Sequence, residues 1–376
     1  MNEKEVAEIR RRFRQDKSNI THIRGCFVNE KREIVSEFDQ SLALMSQEES
    51  EMFLSIIKRT LSGTIGKNLI DISFTTQQVV ESEEHKLLME LKNSSLKDEN
   101  AVQTFFQQVI QALAIEGNYL ILLTHDNYDI PYRSQDGERQ DDASSEVFSY
   151  ILCSICLIKP TQPALSYYVT ENEFHNRKAD WIVSAPALGF MFPAFDDRSA
   201  NIYNALYYSH DIEDNHEEFV DAVFKADTPM PAAAQQEVFQ SMLADTLADN
   251  CSYEVVQSVH EQLREMIEEH KANKEEDPLT ISKSTVKGVL KSCGVSDSNM
   301  NAFDEKYDTE FGADVQISPH NIVDAKKFEV RTPDVTIHVN PERGDLVETR
   351  VINGTKYILI RADEGVEVNG ISIHIS

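Results

Sequence analysis

No run in this 376-residue sequence stays apolar over the ~20 residues that a membrane-crossing helix needs; the longest, 119–123 and 150–158, stop far short. Cysteine is scarce too. Five in this length build no disulfide framework, which excludes a stapled secreted scaffold and fits a reducing cytoplasm. The first twenty residues carry a charged amphipathic pattern in place of an apolar core, so no secretory leader is expected. Gly-x-Ser-x-Gly occurs nowhere, and no internal repeat is present. Positive charge is in short supply: 36 Lys+Arg against 64 Asp+Glu leave a formal charge of −28. Such a chain repels nucleic acid and anionic membrane at long range, so contact with DNA needs a concentrated basic patch.

What is present describes a folded chain. Apolar residues at 41% rule out intrinsic disorder, and at ~150 residues per domain the length allows two or three domains. Val6, Ile9 and Phe13 form one stripe of a helix expected over 2–17. Arg10, Arg11 and Arg14 lie along one flank of that stripe, while Arg12 points away. The first thirty residues are net positive by two, leaving −30 for the rest. If nucleic acid is touched, Arg10, Arg11 and Arg14 are therefore the place. Three phosphate contacts imply a weak, salt-sensitive interaction, with a log–log salt slope of about −0.9 × 3. Pairing of these arginines with acidic neighbours is the competing reading.

A strand is expected over 21–28, and helices over 47–61 and 99–115. Segments 118–124 and 149–158 are short, nearly continuous apolar runs, the pattern of strands covered on both faces. Segments 181–183, 189–192 and 202–208 add further strands, and polar 126–145, with Pro131 and Gly137, reads as a long surface loop. Two prolines in 226–231 end this part. Amphipathic helices follow. Segment 282–307 has the outline of a helix-turn-helix, but its second helix would bring Asp297, Asp304 and Glu305 towards phosphate, which argues against DNA docking. At the end, Asn353-Gly354 and Asn369-Gly370 are type I′ hairpin signals. The second pairs Val368 with Ile371 and Val366 with Ile373, on one face with Ile375; the first gathers Val347, Val351, Ile358 and Ile360. With 334–340 these make a small antiparallel sheet. The fold class expected is α+β: an N-terminal mixed α/β domain with a central sheet (1–225), a helical segment (226–314) and a small antiparallel β domain (315–376).

Three patterns bear on chemistry. Residues 62–68 (SGTIGKN) approach a phosphate loop, but Leu61 and Asn68 stand where glycine and Ser/Thr are required, leaving at most an anion site at Gly66 and Lys67. Cys153 and Cys156 are spaced as a CxxC pair, yet on a strand residues three apart face opposite ways, so two core thiols are expected. His125, Asp126 and Asp129 follow one apolar strand, and Asp196, Asp197 and Arg198 follow another. Carboxylates at strand ends can hold Mg²⁺ or act as acid and base, and they are also ordinary turn residues.

Several stretches are familiar together: SGTIGKN at 62–68, EGNYLILLTHDNYD at 116–129, DDASSEVFSYILCSICLI at 141–158, ALGFMFPAFDDRSANIYNALYYS at 187–209 and VNPERGDLVETRVINGTKYILI at 339–360. With them the whole chain resembles the bacterial domain of unknown function 4317 family. The resemblance implies a cytosolic protein of Firmicute-type bacteria and supplies no activity. A second similarity, in the order of elements only, is to the 37-kilodalton nucleoid-associated protein family, which also has a central strand ending in a His-containing turn and a β tail entered through a helix like 302–311. It carries over no functional residue.

The leading expectation is a non-enzymatic, nucleoid-associated-like cytoplasmic protein that binds DNA weakly or acts through a protein partner, with no membrane contact, no cofactor and no metal. The rival is an enzyme with a carboxylate or metal site built from Asp126, Asp129, Asp196 and Asp197. Convergence of these four around a pocket would favour the enzyme; scatter over separate turns would favour a binding module.

Overall fold

A computed structural model describes residues 1–133, 139–248, 251–273, 275, 277–362 and 365–374. The chain is α+β, and its backbone contacts separate a first unit, essentially Met1–Pro231, from a second made of Ala232–Glu275 and Leu279–Ser376. The change of unit falls at the end of the proline-bearing stretch. The helical segment and the β tail belong to the same unit.

In chain order the first unit runs α1 (Glu3–Arg10), β1 (His22–Val28), β2 (Ile34–Ser41), α2 (Gln47–Lys58), β3 (Leu69–Ser73), α3 (Thr76–Glu81), α4 (Glu83–Asn93), α5 (Glu99–Ala112) and β4 (Asn118–Arg133). It continues through β5 (Arg139–Pro160), β6 (Ala164–Tyr168), β7 (Glu173–Arg177), β8 (Trp181–Phe192), β9 (Ala194–Asp196), β10 (Ser199–Asn201), β11 (Asn204–Ser209) and α6 (Glu217–Phe224). Seven strands form one sheet in the order β2-β1-β4-β5-β8-β11-β3, and every pairing in it is antiparallel.

The apolar runs are strands covered on both faces, as their composition requires. On one face Ile9, Phe13, Leu54 and Ile57 of the α1 and α2 regions pack on Leu122, Phe148 and Tyr150. On the other, Phe105, Phe106 and Val109 of α5 and Phe224 of α6 pack on Leu123, Cys153 and Phe190. Cys153 belongs to this second core, whereas buried Cys156 stands opposite Leu120, which belongs to the first. The five cysteines are free thiols, and burial raises those of Cys153 and Cys156.

Two expectations need correction. Segment 126–145 is not a long loop: β4 and β5 pair as a hairpin far beyond the apolar runs, and residues 134–138 lie outside the described residues. The polar-looking stretch alternates, with Asp126, Tyr128 and Ile130 buried between exposed Asn127 and Asp129. The first helix also ends early. Asn2 and Glu5 close a reciprocal capping box at its start, and the helix ends at Arg10, with Arg11 as the C-terminal cap bonding back to the Ala7 carbonyl.

The second unit holds α7 (Ala232–Leu247), α8 (Tyr253–Asn273), α9 (Lys283–Ser292), α10 (Asp297–Glu310) and α11 (Pro319–Ile322) around Phe239, Leu263, Leu290, Phe303 and Tyr307. α9 and α10 join at Gly294, whose φ of 80° suits glycine. The carboxylates of α10 turn back on α9: Lys287 bonds Asp304, and Lys283 lies 2.6 Å from Asp308.

Beyond them come β12 (Phe328–Arg331), β13 (Thr336–Val339), β14 (Val347–Ile352), β15 (Thr355–Ile360), β16 (Val366–Val368) and β17 (Ile371–Ile373). Both Asn-Gly turns form as read, with φ of 52° and 82° at Asn353-Gly354 and 51° and 78° at Asn369-Gly370. Val368 pairs with Ile371 and Val366 with Ile373; Ile375 lies outside the described residues. The expected single sheet is instead three separate two-stranded ladders, one of them pairing β13 with β12. A short turn fixes its own hairpin but carries nothing that joins one hairpin to the next.

Sheet closeness at one point makes a sharp test. A Cβ on Gly189 would stand 2.2 Å from the Cys153 carbonyl oxygen and 2.7 Å from Thr60 Cγ2. Gly189→Ala is therefore expected to destabilise by about 1–3 kcal/mol, read as a lower urea midpoint by circular dichroism. Gly288→Ala, in open space on α9, is expected to be neutral or to stabilise by up to ~1 kcal/mol.

Candidate functional site

Alternation along β4 decides where the candidate residues go. Asp126 shares a sheet face with Tyr128 and Ile130, while His125, Asn127 and Asp129 take the other. The cluster that is contiguous in sequence is thus divided between two environments.

On the first face Asp126 is 2% exposed. Its carboxylate accepts from Arg12 Nε at 3.1 Å, the Tyr150 hydroxyl at 2.9 Å and the Asn19 amide at 3.1 Å. The Arg12 guanidinium lies 4.6 Å over the Tyr128 ring, a cation–π contact. The Tyr128 hydroxyl donates to Glu8 at 2.6 Å, and Arg198 donates to both Glu8 oxygens at 2.9 and 2.8 Å and to the Pro131 carbonyl at 3.2 Å. Burial, then the Asp126 charge, pushes the Tyr150 phenol well up. Burial and the Glu8 carboxylate push Tyr128 up to about 12. Both phenols therefore stay protonated and donate. Asp126, bonded by three residues, is a structural acceptor that holds the segment after α1 against the sheet. Arg12, read from the helical wheel as pointing away, is its principal partner.

The other candidates lie apart. Asp197 and Arg198, with φ of 48° and 57°, form the two-residue turn between β9 and β10. Asp196 accepts from Asn201 at 3.1 Å and lies 3.7 Å from the Met1 amino group. Asp129 is exposed. Among the described residues, no three His, Cys, Asp or Glu side chains have metal-binding spacing. In the 62–68 loop the amides of Lys67, Asn68 and Leu69 all donate to the Thr64 carbonyl, and that of Gly66 to Leu69. The amides that would cradle an anion at Gly66 and Lys67 are occupied. Arg10 ends α1, Arg11 caps it, and Arg14 lies beyond it, 3.2 Å from Asp16; the three do not share one helical flank.

On the second face His125 lines a cavity of about 420 Å³ with Asn19, Thr21, His22, Arg24, Asp39, Ser95, Leu96, Lys97 and Asn127. Its Nε2 is 2.8 Å from the Ser149 hydroxyl. Burial lowers its affinity for a proton, Asp126 opposes this, and Lys92 and Lys97 lower it further. Arg24 pairs with both Asp39 and Glu99. His22, Arg24, Ser95 and Lys97 went unnoticed in the sequence because they come from β1 and the α4–α5 connection, with no shared motif or spacing.

If the Asp126–Arg12 pair is the clamp described, removing either partner leaves a buried charge unmatched. Asp126→Ala and Arg12→Ala are each expected to cost about 3–5 kcal/mol. The double variant should cost clearly less than their sum in a urea-denaturation cycle.

The family model described as Domain of unknown function (DUF4317) matches residues 1–371. A search of curated proteins finds no match. Neither supports the likeness to the nucleoid-associated family. Coverage of nearly the whole chain places it plainly: this protein belongs to the DUF4317 family.

Proposed function

We propose that the chain is a non-enzymatic binding protein that acts in a reducing cytoplasm through a protein partner docked on its exposed β-ribbons. The observation behind this is the apolar surface that the ribbons leave open. In the β6–β7 ladder, Leu165, Tyr167 and Phe174 share one face, and Leu165 and Phe174 are 73% and 66% exposed. Trp181, at the start of β8, is 60% exposed. In the tail, Val351 and Ile371 are each 69% exposed. A lone two-stranded ribbon is marginal in water, and grouped apolar side chains on a surface mark protein contacts. The β6–β8 region is also nearly charge-balanced, with Glu171, Glu173 and Asp180 against Arg177 and Lys178, so a partner meets little of the −28 field there. The dispersal of Asp126, Asp129, Asp196 and Asp197 favours a binding module over a carboxylate enzyme.

A photo-cross-linking residue at position 174 is expected to capture one defined protein in cells, and Leu165→Ser with Trp181→Ser to abolish the adduct. Diffuse labelling that ignores those substitutions would refute the proposal. A low-salt gel shift lost in the Arg10→Ala, Arg11→Ala, Arg14→Ala triple variant would make nucleic acid the partner instead.

A further inference from the structure

We infer that the cavity between β1, β4 and the α4–α5 connection binds a small molecule bearing an oxyanion, phosphate or carboxylate, held by Lys97, His22, His125 and Asn127. This is independent of the ribbon surface. Its size, about 420 Å³, falls in the range of small-molecule sites and exceeds what a bare ion needs.

The charge around the cavity is what selects an anion. Its one lining carboxylate, Asp39, is 3.2 Å from Arg24, which is bonded to Glu99 as well, so this group is internally balanced. Lys97 has no ion-pair partner among the described residues, and neither has Lys92 on the preceding helix; both act on His125 with their positive charge. An acidic chain that keeps two ammonium groups uncompensated beside one polar cavity creates a local reversal of its own field. The titratable and charged groups around His125 are His22, Arg24, Asp39, Lys92 and Lys97, with Asp126 on the opposite sheet face.

The neutral groups suit the same ligand. Burial and the two lysines favour the neutral form of His125, which can offer an oxyanion its Nδ1–H while Nε2 accepts from the Ser149 hydroxyl at 2.8 Å, and His22 Nδ1 is held 3.1 Å from the Thr21 hydroxyl. Asn19 donates to the Asn127 carbonyl at 2.7 Å, which fixes the backbone at the cavity floor. At the lip, Ser95 and Leu96 both adopt left-handed backbone, with φ of 54° and 60°. These two residues close the C-terminus of α4, with the Ser95 amide bonded to the Lys92 carbonyl and the Leu96 amide to the Leu91 carbonyl, and this turn sets the position of Lys97.

The full-length protein, with labelled histidine, would be titrated by NMR with inorganic phosphate, citrate and chloride at matched ionic strength. Saturable shifts at His125 and His22 are expected with an oxyanion and not with chloride. The bound anion should also raise the pH at which His125 titrates. Tighter phosphate binding would point to a phosphorylated ligand, and tighter citrate binding to a carboxylic acid; either supports the site. Lys97→Ala, an exposed position whose loss should leave thermal unfolding unchanged, is expected to weaken binding about tenfold, as loss of one charge-assisted hydrogen bond would. Shifts that never saturate or that chloride reproduces would overturn the inference, as would unchanged affinity in Lys97→Ala.

Discussion

A carboxylate that is buried must be bonded, and Asp126 is where the first unit meets that requirement. Taken out of water, it is tolerable only with a cation and additional donors around it. Arg12, Tyr150 and the Asn19 amide supply them. The helix ends at Arg10, and the chain that follows brings both Arg12 and Asn19 to the same carboxylate. Arg12 then lies over Tyr128, whose hydroxyl engages Glu8, which in turn receives Arg198 from the β9–β10 turn. One buried charge thus ties together a helix, the central hairpin and a distant turn.

The same strand that buries Asp126 sends His125 to the opposite face. Neighbouring residues in a strand serve different layers, so a cluster of polar residues in sequence is no evidence of a cluster in space. Here it produced two environments. One is a network of bonded side chains around a buried carboxylate; the other is a polar cavity lined by His22, Arg24, Lys97 and His125.

The ribbons illustrate a different physical point. A hairpin's own turn and register can be satisfied while its apolar face has nothing to pack against. Antiparallel ribbons of this kind reach stable burial only with a third strand, a helix or another protein. The excess of carboxylates on the chain opposes the approach of other polyanions at long range, and the β6–β7 ribbon, nearly balanced in charge, contributes little to that field.

Local chemistry sufficed for much of this. Asn353-Gly354 and Asn369-Gly370 specify their turns because Asn and Gly tolerate positive φ, and the side-chain alternation then sets each register. The short apolar runs, rich in β-branched and aromatic residues, pointed to strands covered on both faces, and strand alternation then set Cys153 and Cys156 on opposite faces. The family, too, was legible in the quoted stretches. Other features depended on distant residues. The end of α1 hinges on Asp126, more than a hundred residues away, and the reach of β4 and β5 rests on an alternation that Asp and Asn disguised as loop. The cavity is assembled from β1, β4 and the α4–α5 connection, which share no spacing in the chain. Whether tail hairpins merge into one sheet depends on edge pairing between segments, and no turn encodes that. Propensity and periodicity act over a few residues; buried charge pairing and sheet neighbours act across the whole unit, and only the tertiary structure decided them.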